Sequence, residues 1–124
     1  MYTPQTFDPI DLLTAQALTV SGGATPSVTS EPLKVAMMSR LHVYVSNAGA
    51  STSVTVNIYG KTNSTTNIKE HLATFTLGAA VGAVPYSAGR YIERDAIPSY
   101  IYAVATNTDG ANEAEITCTL DRWR

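Results

Sequence analysis

Hydrophobic and polar residues alternate most regularly across residues 40–61, RLHVYVSNAGASTSVTVNIYGK. Leu41, Val43 and Val45 fall on one side of a period-two pattern, with His42, Tyr44 and Ser46 on the other. Val54, Val56 and Ile58 repeat it against Thr55, Asn57 and Tyr59. Side chains of an extended chain point alternately to opposite faces. The pattern therefore predicts two adjacent strands, 40–47 and 53–60, joined by a small-residue turn. Each buries one face and leaves the other to water or a partner.

The same reasoning predicts strands near 70–77, 89–94, 99–107 and 114–122. Weaker candidates lie at 17–21, 27–30 and 33–38, and Pro32 confines pairing there to an edge or a strand start. In 114–122, Ile116, Cys118 and Leu120 alternate inward against Glu115, Thr117, Thr119 and Asp121. The segment SYIYAVATN is apolar on both faces, which marks a central strand or one whose outer face meets a partner. Between 107 and 113 the Asp109-Gly110 pair reads as a tight turn with positive φ. Seven or eight short strands without a long helix give an all-β fold, an antiparallel β-sandwich. The pattern does not separate jelly-roll from immunoglobulin-like wiring.

The N-terminal residues break the alternation. In FDPIDLLTAQ, Asp8 is placed to cap a helix, Pro9 suits its first position and Asp11 favours the helix dipole. Phe7 and Leu12 have the spacing of a hydrophobic staple. One or two helical turns are expected over 9–15. That is too short to be stable alone, so the segment must dock on its own sandwich or on a neighbouring subunit. The expected division is an N-terminal arm with a short helix, 1–17, and a β-sandwich domain, 18–124.

With 124 residues, the chain has the length of one domain and enough for a real core without staples. Charged residues make up 15%, below the ~25% usual for soluble domains, while seventeen Thr and ten Ser supply hydroxyls instead. Such a surface has few hydrated charges to strip when it meets a neighbour. The net charge of −2 argues against nucleic-acid binding, which depends on Lys and Arg neutralising phosphates. No apolar run has the length of a membrane span, so no membrane partner is expected, and the N-terminus lacks a secretion-signal pattern. Cys118 is the only cysteine, which leaves no intramolecular disulfide and no Cys-rich zinc site.

Candidate chemistry is sparse. His42 and His71 would need a third ligand such as Asp95 or Glu70 to hold zinc, and structural histidines explain them better. NTDGANE has the start of a calcium loop but lacks its first and last carboxylates. There is no G-x-S-x-G elbow, and Asp8/Asp11 and Glu113/Glu115 fit a helix cap and a strand face rather than an acid–base pair. The chain is expected to be no enzyme, with no catalytic residue, metal or cofactor. Its tyrosines carry more information. Tyr44 and Tyr59 are expected on the outer face of neighbouring strands, and Tyr86, Tyr91, Tyr100 and Tyr102 follow. Cross-strand packing, a protein interface or sugar stacking would each use such a face. The end LDRWR is either a strand end folded back or an anchor for a neighbour.

An N-terminal arm, a Thr/Ser/Ala-rich sandwich of low charge, one cysteine and no active site together resemble the small β-sandwich virion proteins of tailed bacteriophages, the capsid cement or decoration proteins in particular. The resemblance spans the chain and rests on organisation rather than a motif. It implies a virion protein, made in the host cytoplasm, that binds the major capsid protein or other virion proteins. It would stabilise the shell as a dimer or trimer. The residues expected to meet the partner are Phe7, Ile10, Leu12 and Leu13 of the arm, then Arg90, Tyr91, Arg94, Trp123 and Arg124. Two rival roles remain open: a carbohydrate- or receptor-binding module stacking sugars on Tyr44 and Tyr59, and a tail or head–tail connector component.

Overall fold

The computed structural model describes residues 6–20, 25–36, 38–93 and 97–123. The described residues form nine strands: β1 (Thr6–Leu18), β2 (Ser27–Thr29), β3 (Leu33–Lys34), β4 (Arg40–Asn47), β5 (Val54–Lys61), β6 (Glu70–Leu77), β7 (Tyr86–Glu93), β8 (Tyr100–Asn107) and β9 (Ala114–Trp123). They form two antiparallel sheets, ordered β1-β9-β4-β7 and β2-β8-β5-β6, with β3 also paired to β8. Counted with β2 and β3 as one interrupted strand, the sheets read first–eighth–third–sixth and second–seventh–fourth–fifth. This is jelly-roll wiring, so the ambiguity with the immunoglobulin-like alternative is resolved.

Only β5 and β6 are sequence neighbours that pair as a hairpin; the other connections between the two sheets carry the chain across the sandwich. The 40–61 segment is thus not a hairpin. Both of its strands alternate as expected, but β4 pairs with β7 and β9, and β5 with β6 and β8. Period-two alternation says which side chains face inward. It does not say whether the next strand lies beside or opposite.

The inward positions meet as the alternation predicts. Leu41, Val43, Val45, Ile116, Cys118 and Leu120 from the first sheet pack against Val54, Val56, Ile58, Phe75, Ile101 and Ala103 from the second, all buried. At ~1.5–3 kcal/mol for each large side chain, this layer drives folding. Two amides seal one end of it. Asn47 ends β4 and Asn107 ends β8, and both are fully or almost fully buried. Asn47 Nδ2 donates to the carbonyls of Ser51 (3.1 Å) and Gly78 (3.0 Å), while Oδ1 accepts from the N–H of Gly49 (2.9 Å) and Glu115 (3.1 Å). Asn107 Nδ2 donates to Leu18 (3.0 Å) and Asn112 (2.9 Å), and its Oδ1 accepts from Ser51 Oγ (2.7 Å) and the Asp109 N–H (3.1 Å). Each amide uses its full donor and acceptor capacity, as buried polar groups must.

Three local expectations are corrected. The helix expected over 9–15 is absent: residues 6–18 form the edge strand β1 on β9. A helix this short gains little by itself, whereas pairing with β9 satisfies backbone groups and buries Leu13 and Leu18. Pro9 sits at a register shift on a sheet edge, where its missing N–H costs no ladder bond. The last of the three irregularities of β1, between Leu13 and Gln16, contains Ala15 at φ 42°, with its N–H donated to Thr117 Oγ1 at 3.0 Å. The supposed boundary at residue 17 therefore falls inside a strand of the sandwich. Finally, the Asp109-Gly110 turn needs no positive φ. Asp109 fixes it with its side chain, accepting from the N–H groups of Thr52 (2.9 Å), Ala111 (2.9 Å) and Asn112 (3.2 Å).

Candidate functional site

On the outer face of the first sheet the odd-even alternation of β4 lifts His42 and Tyr44 out of the core, and β7 brings Tyr91 opposite His42 and Gly89 opposite Tyr44. The imidazole of His42 lies between both phenols. Its centroid is 3.9 Å from that of Tyr44, edge to face, and 4.1 Å from that of Tyr91. Trp123, at the end of β9, extends the row at 6.4 Å from Tyr91. Arg40 lies 5.5 Å from the Tyr91 ring and 3.4 Å from the Glu93 carboxylate. Gly89 makes this stack fit: a Cβ there would stand 3.0 Å from His42 Cε1 and 3.3 Å from Tyr44 Cδ1. The two tyrosines are 47% and 55% exposed, whereas His42 is 8% exposed and its Nδ1 has no hydrogen-bond partner among the described residues.

The opposite face also carries aromatics, but they are covered. Tyr59 and Tyr102 stack at 5.5 Å across β5 and β8. Lys69 Nζ caps the Tyr59 ring at 4.3 Å, and Lys61 Nζ caps Tyr102 at 4.9 Å. His71 is tied to Thr74 Oγ1 (2.6 Å) and Asn57 Oδ1 (3.3 Å). Tyr44 and Tyr59 consequently point away from each other on opposite sides of the sandwich. They cannot form the shared sugar platform expected from adjacent strands.

A third feature lies at the end sealed by Asn47. The uncharged run 78–89 leaves β6 and returns as β7. Within it Val81 and Val84 exchange backbone hydrogen bonds, both 3.0 Å, around Gly82 at φ 60°. Glycine at the first central position is what a two-residue turn of this kind requires. Val81 is 80% exposed and Val84 68%, and Tyr86 beyond them is also exposed. The base is held by the Ala80 N–H on the Gly49 carbonyl (3.1 Å) and by Asn47 on the Gly78 carbonyl. The result is a short braced finger with two valines at its tip.

The residues expected to meet a partner are scattered by the fold. Tyr91 and Trp123 share the first outer face. Arg90 points to the other side of β7, where its guanidinium lies 5.9 Å from the Phe75 ring and covers the gap between the sheets. Phe7 packs under Arg122 at 5.5 Å, and Ile10 is partly exposed on the β1 edge. Leu13 is a core residue and Leu12 is packed against the core, so neither is free for a partner. Arg94 and Arg124 lie outside the described residues, as does Asp95. The alternation pattern did not single out Gly89, Arg40 or the Val81/Val84 tip. A glycine inside a strand and paired valines in a loop were the available signals. Cys118 is sealed in the core, where burial, with the Asp11 charge adding to it, pushes its thiol up to about 12. Among the described residues no group of three or more His, Cys, Asp or Glu is placed to hold a metal ion.

No protein-family model and no curated protein matches the sequence. Solved structures do resemble the fold. The PBSX exported protein XepA superposes with a TM-score of 0.55 at 11% identity, over 97% of this chain and 36% of that one. A chain from the infectious bursal disease virus Gx strain gives 0.53 at 13% identity, over 98% of this chain and 32% of that one. The carbohydrate binding module CBM6cm-2 from Cellvibrio mixtus lichenase 5A gives 0.49 at 10% identity, over 93% and 88%. This chain spans about a third of the length of the first two. At these identities the likeness is one of fold alone, a β-sandwich.

Proposed function

We propose that this chain is a non-enzymatic structural protein of a phage virion, a cement or decoration module that binds the major capsid protein or another virion protein. The observation that carries the reading is the finger. Two valines held mostly in water by a braced turn, with exposed Tyr86 beyond them and a dozen residues free of charge around them, form a small apolar projection. They have the form of an apolar anchor for a pocket on a protein partner. A jelly roll shared with a viral protein and a surface poor in charge support the same reading.

In this role each copy seats its finger between shell subunits and penalises their separation. Stable protein contacts bury more than ~1,000 Å², so the surrounding loops at that end contribute the remainder. The chain works as a dimer or trimer, and several copies multiply the effect without any chemistry. The test is co-sedimentation of the purified chain with particles of the virus that encodes it, wild type beside the double variant Val81→Asp, Val84→Asp. Binding by the wild type and a loss of about tenfold or more in the variant is the expected result. Equal binding by both removes the finger from the account, and no binding by the wild type removes the cement role.

A further inference from the structure

We propose that the Tyr44–His42–Tyr91 stack on the outer face of the first sheet is a binding site for a neutral glycan, independent of the finger and of the shell-binding role. The outward positions of β4, β7 and β9 hold no Leu, Ile, Val or Met. The exposed apolar surface of this face is therefore aromatic rather than aliphatic on these three strands. It offers instead two half-exposed phenol rings, an indole, and hydroxyls and carboxylates around them. Flat ring faces take the C–H side of a pyranose, and a few fixed polar groups then read its hydroxyls.

The polar groups are in place. Asp121 is the cross-strand neighbour of His42 on the side away from Tyr91, and its carboxylate makes no hydrogen bond or ion pair among the described residues. Arg40 and Glu93 supply a donor and an acceptor beside the Tyr91 ring. Gly89 lets the His42 and Tyr44 rings fill the space above β7, so a sugar ring would meet the exposed outer side of the two phenols. Nδ1 of His42 is the remaining observation. A polar atom buried without a partner is a cost that a folded chain normally avoids. Either tyrosine can shift its ring to admit a ligand hydroxyl, which would complete the bond. With Asp11, Glu93 and Asp121 on this side against Arg40, the face disfavours anionic sugars and suits neutral ones.

The experiment is an NMR titration of the full chain, following the imidazole resonances of His42 and His71. The probes are cellohexaose, maltohexaose and chitohexaose, with heparin as the anionic control. At least one neutral hexasaccharide is expected to shift His42 and leave His71 unmoved, with a Kd on the order of 1 mM or tighter. Tyr91→Ala, which removes an exposed ring outside the core, should weaken that binding about tenfold, and Tyr59→Ala on the opposite face should leave it unchanged. Silence from all three neutral probes, binding of heparin alone, or a titration unaltered in Tyr91→Ala overturns the proposal. None of these outcomes depends on Val81 or Val84, so the site and the finger stand or fall separately.

Discussion

Asn47 is the residue whose loss should be felt most widely. Its side chain is fully buried and serves four backbone groups from three connections: Ser51 and Gly49 in the β4–β5 crossing, Gly78 at the base of the finger, and Glu115 entering β9. Asn47→Ala leaves the buried Ser51 carbonyl with nothing to accept, which costs about 1–3 kcal/mol. The other three groups are only partly buried, and water recovers much of their loss. The total should come to about 3–4 kcal/mol, a large share of the ~5–15 kcal/mol that holds a domain together. Urea denaturation followed by Trp123 fluorescence measures it, as a lower midpoint at unchanged slope. Asn47→Asp separates the two halves of the network. It keeps an acceptor for the Gly49 and Glu115 N–H groups but turns a carboxylate toward the carbonyls of Ser51 and Gly78. At neutral pH this variant should be at least as unstable as Asn47→Ala. As pH falls and the carboxyl takes up a proton to donate, it should recover relative to Asn47→Ala. A cost below about 1 kcal/mol for Asn47→Ala would refute the reasoning, because it would mean that water or other groups replace all four bonds.

Other consequences follow from single residues. Hydrogen bonds from Thr52, Ala111 and Asn112 hold the Asp109 carboxyl well below its ordinary value of 3.8. The stability it contributes is therefore complete above the ordinary carboxylate range and is lost as pH falls through and below it. Asp109→Asn should be less stable than wild type at neutral pH, with the gap closing in acid; a gap independent of pH would contradict this. Because burial holds the Cys118 thiol protonated, an aromatic disulfide reagent at pH 8 should label it only as fast as the chain unfolds, and rapid native labelling would contradict its placement. Ala15 adopts a φ of 42°, which costs a residue with a Cβ ~1–2 kcal/mol, so Ala15→Gly should match or exceed wild-type stability while Ala15→Val falls about 1–2 kcal/mol below it. Thermal melts of the two variants in the opposite order would refute that strain.

Much of the fold was legible because sheets write themselves as alternation. β4 and β6 were placed to the residue, β5, β8 and β9 to within one, and the inward set Ile116, Cys118 and Leu120 was read correctly. Pairing was not legible in the same way. Nothing in residues 47–53 distinguishes a hairpin from a crossing between sheets, and the crossing is what sends Tyr59 to the far side from Tyr44. The N-terminus failed for a different reason. Asp8, Pro9 and Asp11 are a sound local helix start, but the free edge of β9 offered thirteen residues a better set of bonds than a short helix could. At the surface, Tyr91 and Trp123 were named from residue type alone, and the fold brings their rings to 6.4 Å of each other. His42 was read as a structural histidine, since only the register of β4 against β7 shows it wedged between two phenols. The finger went unread because valines in a loop draw attention only when the loop is seen to hold them outward.

The account places a protein contact at the loop end and leaves the aromatic face open. Amide hydrogen exchange of the chain, free and mixed with the virus particles that the proposed role requires, tests that division directly. Protection confined to residues 79–86 and the adjoining loops, with β7 residues 87–91 exchanging as in the free chain, is the predicted result. Protection centred on 87–91 and the end of β9, with the finger unchanged, would contradict it.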